Sequence, residues 1–96
     1  MNMKFQKALF MLDKGQFEKA EILLQESFEE SKSDYEKIQI TACYAELLFE
    51  TERFDQAYEK AVYILENTDE YENGCERETA KNIIKKIDLE RKNGSN

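Results

Sequence analysis

Apolar residues recur along this chain at the spacing of α-helices. Near the start, four of them fall on one helical face: Phe5, Ala8, Leu9 and Leu12. The same kind of pattern predicts five helices, at about residues 3–14, 17–32, 33–49, 54–66 and 75–92. Proline is absent, while Glu, Lys, Ala, Leu and Gln are abundant. The sequence therefore predicts an all-α fold.

The third predicted helix is apolar over much of its circumference. Its apolar residues point to several sides: Ile38, Ala42, Ala45, Leu48 and Phe49 on one, and Ile40, Tyr44 and Leu47 on others. We therefore expect this helix to be central and to be contacted from several directions.

The predicted helix boundaries carry recognisable turn and cap residues. Gly15 follows the first helix, where a left-handed residue can end a helix at little cost. The turn after it is very short, so the first two helices should be antiparallel. Ser33 and Glu36 have the form of a capping box, in which each side chain satisfies a free backbone amide of the other.

Two stretches of the chain match each other at a spacing of 37 residues. Phe17 falls on Phe54, and Ala20 falls on Ala57. A match of small residues on small and large apolar residues on large indicates one helix-pair unit used twice. Each unit would need its neighbour in order to bury its apolar face.

These positions resemble the tetratricopeptide repeat family, whose unit is a pair of antiparallel helices of about 34 residues. The matching residues are Ala8, Met11, Gly15, Phe17 and Ala20 in the first unit, and Tyr44, Ala45, Leu48, Phe54 and Ala57 in the second. The resemblance implies antiparallel helix-pair repeats in a right-handed superhelical stack. Its parts would be a repeat at about 1–34, a second at about 38–71, a capping helix at about 75–92 and a frayed tail at 93–96.

The sequence also departs from the family's pattern. Lys4 and Thr41 stand where the family has a bulky aromatic residue, and the closing proline is absent. Glu52 replaces the glycine of the second turn, so that turn must be made without an unstrained left-handed residue. A plain four- or five-helix bundle is the alternative fold.

Charge and hydropathy narrow the class of partner. The net charge of −7 argues against nucleic acid and against anionic membrane surfaces. No apolar run approaches the ~20 residues that span a bilayer, and the first residues do not have the pattern of a signal peptide. We therefore expect a cytoplasmic protein.

Few residues here could support catalysis. The chain has no histidine and no glycine-rich phosphate loop, and its many carboxylates fall at helix-surface positions. Cys43 is expected to be a small core residue, whereas Cys75 follows an Asn-Gly pair and is expected to be more exposed. The sequence predicts no enzyme, no cofactor and no metal site.

By resemblance, the first helix of each pair lines the inner, concave face of the array. This choice places ten residues there: Asn2, Phe5, Leu9, Leu12, Asp13, Gln39, Ala42, Glu46, Phe49 and Glu50. That face would be apolar at one end and acidic at the other. The expected function is therefore an adaptor or scaffold that binds a basic or amphipathic protein segment. The expected contacts are the apolar residues Phe5, Leu9, Leu12 and Phe49, with Glu46 and Glu50 favouring a basic flank.

A self-associating structural module is the alternative function, with a second copy completing the apolar faces as a homodimer. Two repeats are fewer than the ~3 that usually make a stable stack. The same residues could also be covered by the chain itself. Residues 80–92 are rich in lysine and arginine, so the fifth helix could lie on the acidic stack within one molecule or between two.

Overall fold

The computed structural model describes residues 2–94, which form five α-helices joined by short connections. They are α1 (Met3–Asp13), α2 (Phe17–Glu30), α3 (Asp34–Glu50), α4 (Phe54–Glu66) and α5 (Gly74–Gly94). The prediction of an all-α fold with five helices is confirmed. The last helix continues to Gly94, past its predicted end, and residues 95–96 of the predicted tail lie outside the described residues.

Ion pairs between helix ends show the direction of the helices. Lys4, at the start of α1, pairs with Glu26 at 3.3 Å and with Glu30 at 3.2 Å, near the end of α2. Arg91, near the end of α5, pairs with Asp55 at the start of α4 at 2.7 Å. The first two helices therefore run antiparallel, as predicted, and so do the last two.

The central position of α3 is confirmed by its burial. It contacts α2, α4 and α5, and its side chains enter two groups of buried residues. The first core cluster consists of Phe5, Ala8, Ala20, Leu24, Ile40 and Leu47. The second core cluster consists of Ile38, Ala42, Ala45, Leu48, Ala57, Ala61, Ile64, Ala80, Ile83 and Ile87. α3 is thus the helix that both clusters share.

The turn after α1 ends the helix with a left-handed residue. Gly15 has a φ of 74°, and its N–H donates to the carbonyl of Leu12 at 3.0 Å. The N–H of Gln16 donates to the carbonyl of Met11 at 2.9 Å. These two bonds satisfy carbonyls that the end of the helix would otherwise leave unpaired.

The turn after α3 repeats this geometry 37 residues later. Glu52 donates to Phe49 at 3.0 Å, and Arg53 donates to Leu48 at 2.8 Å, both through backbone N–H groups. Glu52 has a φ of 62°, so it takes the left-handed conformation that Gly15 takes in the first turn. The second turn therefore uses a left-handed residue that carries a Cβ, a strained conformation.

The predicted capping box is only half formed. Ser33 accepts a hydrogen bond from the backbone N–H of Glu36 at 3.2 Å, as expected. The prediction of the reciprocal bond, from the backbone N–H of Ser33 to the Glu36 carboxylate, is wrong. That carboxylate instead accepts from the Ser31 hydroxyl at 2.8 Å and from the backbone N–H of Asn2 at 3.1 Å. Those two bonds lower the pKa of Glu36. This carboxylate thus ties the start of α1 to the connection before α3.

A polar network joins α2 to α3 and to the start of α4. Both terminal nitrogens of the Arg53 guanidinium donate to the Glu21 carboxylate, at 3.0 and 2.7 Å, a bidentate pair. The Tyr44 hydroxyl donates to the same carboxylate at 2.7 Å. The hydrogen bonds from Arg53, and to a lesser degree from Tyr44, lower the pKa of Glu21. The network fixes α2 against α3 and against the start of α4.

Replacement of Glu52 by glycine should stabilise the protein, because glycine adopts this φ without strain at Cβ. We expect a gain of about 1 kcal/mol in the free energy of unfolding, measured by urea denaturation. Glu52→Gln is the matched control, since it removes the same charge and retains the strain. Gly15→Ala, where a Cβ meets no atom within 4 Å, should lose about 1 kcal/mol through strain alone. Equal stability of Glu52→Gly and Glu52→Gln would contradict this account.

Candidate functional site

Residues of α1, α3 and α5 form a continuous surface, called here the inner face. Its first groove has a volume of about 400 Å³ and is lined by Phe5, Leu9, Tyr35, Gln39, Ala42, Cys43, Cys75, Glu76 and Thr79. Its second groove, of about 260 Å³, lies between α3 and α5 and is lined by Glu46, Phe49, Glu50, Thr79, Asn82, Ile83 and Lys86. Thr79 lines both grooves, so they adjoin.

The three apolar residues predicted on α1 have different positions. Phe5 is only 3% exposed and belongs to the first core cluster, so it forms part of the floor of the first groove. Leu9 is 36% exposed and offers side-chain surface to that groove. Leu12 is half-buried against the first core cluster and is not among the residues of either groove. The apolar surface that α1 presents on this face is therefore mostly that of Leu9.

The other three predicted residues lie together in the second groove. Glu46 and Glu50 stand one helical turn apart on α3, with Phe49 between them in sequence. The Phe49 ring packs against Phe54, with ring centroids 5.4 Å apart. On the opposite wall, the Lys86 ammonium lies 5.7 Å from the centroid of the Phe49 ring, within the range of a cation–π contact. The acidic end of the face thus already contains one cation.

The pKa of Glu46 reflects its burial and the charges beside it in this groove. Loss of hydration raises the pKa of the Glu46 carboxyl, and the negative charge of Glu50 raises it further. The Lys86 charge acts in the opposite direction and lowers that pKa. Glu46 therefore takes up a proton at a higher pH than an ordinary glutamate.

The remaining residues assigned by resemblance divide into two kinds. Gln39 and Ala42 line the first groove. Asn2 instead has structural contacts: its side-chain oxygen accepts from the backbone N–H of Lys4 at 2.9 Å, and its side-chain nitrogen donates to the Ser27 carbonyl at 3.2 Å. Asp13 is exposed at the end of α1 and is not among the residues of the two grooves. The inner face is thus shorter on α1 than the resemblance implies.

Sequence reasoning missed the contribution of α5. Thr79, Asn82 and Lys86 line the second groove, and their spacing of three and four residues places them on one side of that helix. The signal was present in the sequence. The apolar stripe of α5, however, identifies only the side of the helix that packs against the core.

Within the described residues, no group of three or more histidine, cysteine, aspartate or glutamate side chains is placed to hold a metal ion. Nor does any helix in that part of the chain combine the length and the apolar character needed to cross a membrane.

Comparison of the chain with protein-family models, with curated proteins and with solved structures found no significant match. The tetratricopeptide assignment therefore stays a prediction from the sequence.

The two cysteines should differ in reactivity. Cys75 is exposed on the wall of the first groove, whereas Cys43 is half-buried in it. Burial raises the pKa of the Cys43 thiol to about 11, with the charges of Glu46 and Glu76 adding to the rise. Because the thiolate is the reactive form, roughly one Cys43 in a thousand is reactive at about pH 8. We expect iodoacetamide to label Cys75 in the native protein while Cys43 resists.

Mass spectrometry of the Cys43→Ser and Cys75→Ser proteins reads out each thiol separately. Both should label readily in urea, which controls for reagent access. Equal native rates would mean that α3 is less enclosed than described.

Proposed function

We propose that this chain is a protein-interaction module, an adaptor or scaffold, whose inner face binds a basic, amphipathic segment of another protein. The observation that supports this proposal most directly is that a groove with apolar surface and a groove with acidic residues adjoin on one face. One offers the apolar surface of Leu9, and the other is flanked by the carboxylates of Glu46 and Glu50. A segment with one apolar side and a cationic end matches both grooves at once.

Lys86 supports a basic partner. Its ammonium group already lies against Phe49, and its charge favours the ionised form of Glu46. Among the residues that line the second groove, two carboxylates therefore face a single lysine. A further cation from a partner would balance the remaining negative charge, in a position that the protein itself uses for an ammonium group.

The proposal is non-enzymatic and places the protein in the cytoplasm. Histidine, the commonest general base, is absent from the chain. Cys43 and Cys75 are both free thiols, as is usual in a reducing compartment. The net charge of −7 favours a protein partner over nucleic acid or an anionic membrane.

Two synthetic peptides with the same leucine stripe at helical spacing test the proposal. The basic peptide carries lysines at its other positions, and the acidic peptide carries glutamates. We expect the basic peptide to bind the inner face, as mapped by chemical-shift changes in the ¹⁵N-labelled protein. Leu9→Gln should weaken that binding by about 2 kcal/mol, the loss of a central apolar anchor, in isothermal titration. Phe10→Gln is the matched control, because Phe10 is the next residue, is 55% exposed and is not among the residues of either groove.

The charged residues supply a second test, in which stopped-flow mixing with the basic peptide measures the rate of association. Glu46→Gln with Glu50→Gln should slow association and reduce its salt dependence. Affinity should fall on acidification, because protonation of Glu46, whose pKa is raised by burial, removes a negative charge, and Glu46→Gln should lessen this dependence. Binding that survives both the Leu9 and the glutamate changes would place the partner elsewhere. Unfolding of the Leu9→Gln protein would identify Leu9 as core.

Self-association is the second candidate function, and one observation favours it. Met3 and Phe10 are 72% and 55% exposed, and their spacing of seven residues places them on the same side of α1. A second copy could cover this stripe. Sedimentation across a dilution series separates the candidates: a persistent dimer that Phe10→Gln dissociates supports self-association, and a monomer supports the adaptor.

A further inference from the structure

A groove on the other side of α5 is not part of the inner face. This outer groove lies between α4 and α5 and has a volume of about 390 Å³. Its apolar residues are Leu65, Ile84 and Leu89, of which Leu89 is 53% exposed. Its charged residues are Lys81, Lys85, Lys92 and Asp88. The groove therefore has apolar surface edged mainly by lysines.

The repeated register of the chain indicates what kind of element fits this groove. Leu65 stands 37 residues after Phe28, the spacing at which the two turns repeat. Phe28 at the end of α2 contacts the Tyr63 ring of α4 edge-on, with centroids 6.3 Å apart. Leu65 at the end of α4 is half-buried beside α5. By the same register, an α-helix is the kind of element that would contact Leu65 from outside, as α4 contacts Phe28.

The charge of the groove decides the chemistry of that helix. Its walls contain three lysines and one aspartate, and Lys81 forms an ion pair with Glu70 of the preceding connection at 3.3 Å. A second copy presenting the same groove would set lysine against lysine, which disfavours a symmetric pairing. A lysine-rich segment, such as the one proposed for the inner face, would be repelled for the same reason. Carboxylates complement this edge.

We propose that the outer groove binds an acidic amphipathic α-helix of another protein. A large apolar side chain of that helix packs between Leu65 and Leu89, and carboxylates one turn away face Lys81 and Lys85. The site is independent of the proposed function, since it uses the opposite side of α5. The protein would then hold two partners of opposite charge, one on each side of the same helix.

The acidic peptide described above tests this proposal, with the basic peptide as its charge-reversed control. In the ¹⁵N-labelled protein, the acidic peptide should shift the amide signals of residues 81–92 and of Leu65. Affinity should fall with added salt, because the attraction is between exposed charges. The basic peptide should leave the signal of Leu65 unchanged.

Lys85 and Lys86 provide a matched pair of variants. They are neighbours in sequence and both are exposed, but Lys85 lines the outer groove and Lys86 lines the inner face. Lys85→Glu should weaken binding of the acidic peptide about tenfold at low salt, and Lys86→Glu should change it much less. Leu89→Gln tests the apolar contact, with circular dichroism confirming that each variant is folded.

Several results would overturn the proposal. They are no binding of the acidic peptide, equal shifts of the Leu65 signal with both peptides, signal changes by the acidic peptide confined to the inner face, or equal losses for Lys85→Glu and Lys86→Glu. A dimer that Leu89→Gln dissociates would show that a second copy fills the groove instead, and would also overturn it. None of these results excludes binding of the basic peptide to the inner face, so the two proposals can fail separately.

Discussion

Burial of α3 on several sides is the constraint on which the rest of the structure depends. Ile40 and Leu47 enter the first core cluster, while Ala45 and Leu48 enter the second. The α1–α2 pair and the α4–α5 pair are therefore positioned relative to each other chiefly through this helix. Both grooves of the inner face have α3 as a wall, so the candidate binding surface is a direct result of the same packing.

The strained turn after α3 belongs to the same arrangement. Glu52 takes a conformation that disfavours a side chain, and the residue after it is Arg53. Its guanidinium reaches back to the Glu21 carboxylate on α2, with Tyr44 of α3 bonded to the same group. The hydrogen bonds of this network offset part of the strain at Glu52. The turn thus fixes the start of α4 and holds α2 against α3 and α4.

Helical periodicity was enough to predict the five helices and the central place of α3, and the Asn-Gly pair before Cys75 predicted its greater exposure. It could not assign individual roles on α1, because Phe5, Leu9 and Leu12 share one helical face and only tertiary packing separates them. Phe5 is buried, Leu9 borders a groove, and Leu12 faces the core. The capping-box pattern also gave Glu36 the wrong partner. Its carboxylate accepts from the backbone N–H of Asn2, 34 positions away.

The candidate site was predictable in part, for a related reason. Glu46, Phe49 and Glu50 lie close together because they are near in sequence on one helix. The lysine opposite them comes from α5, and no pattern within α3 indicates which residue of a distant helix will face it. The charge balance of the site depends on that pairing across helices, so the sequence showed an acidic end where the structure has a partly neutralised one.

The separation of the core into two clusters has a consequence for how this molecule opens. Tyr44 packs against both clusters, but the clusters have no buried residue in common. Regions with separate packing can unfold as separate cooperative units, and we expect α1–α2 to detach more readily than α3–α5 unfolds. Leu9 and its groove would be lost in that partly open state, whereas Glu46, Phe49 and Glu50 would keep their positions. A ligand spanning both grooves would therefore bind the closed state more tightly, and part of its binding free energy would go into holding the first two helices in place.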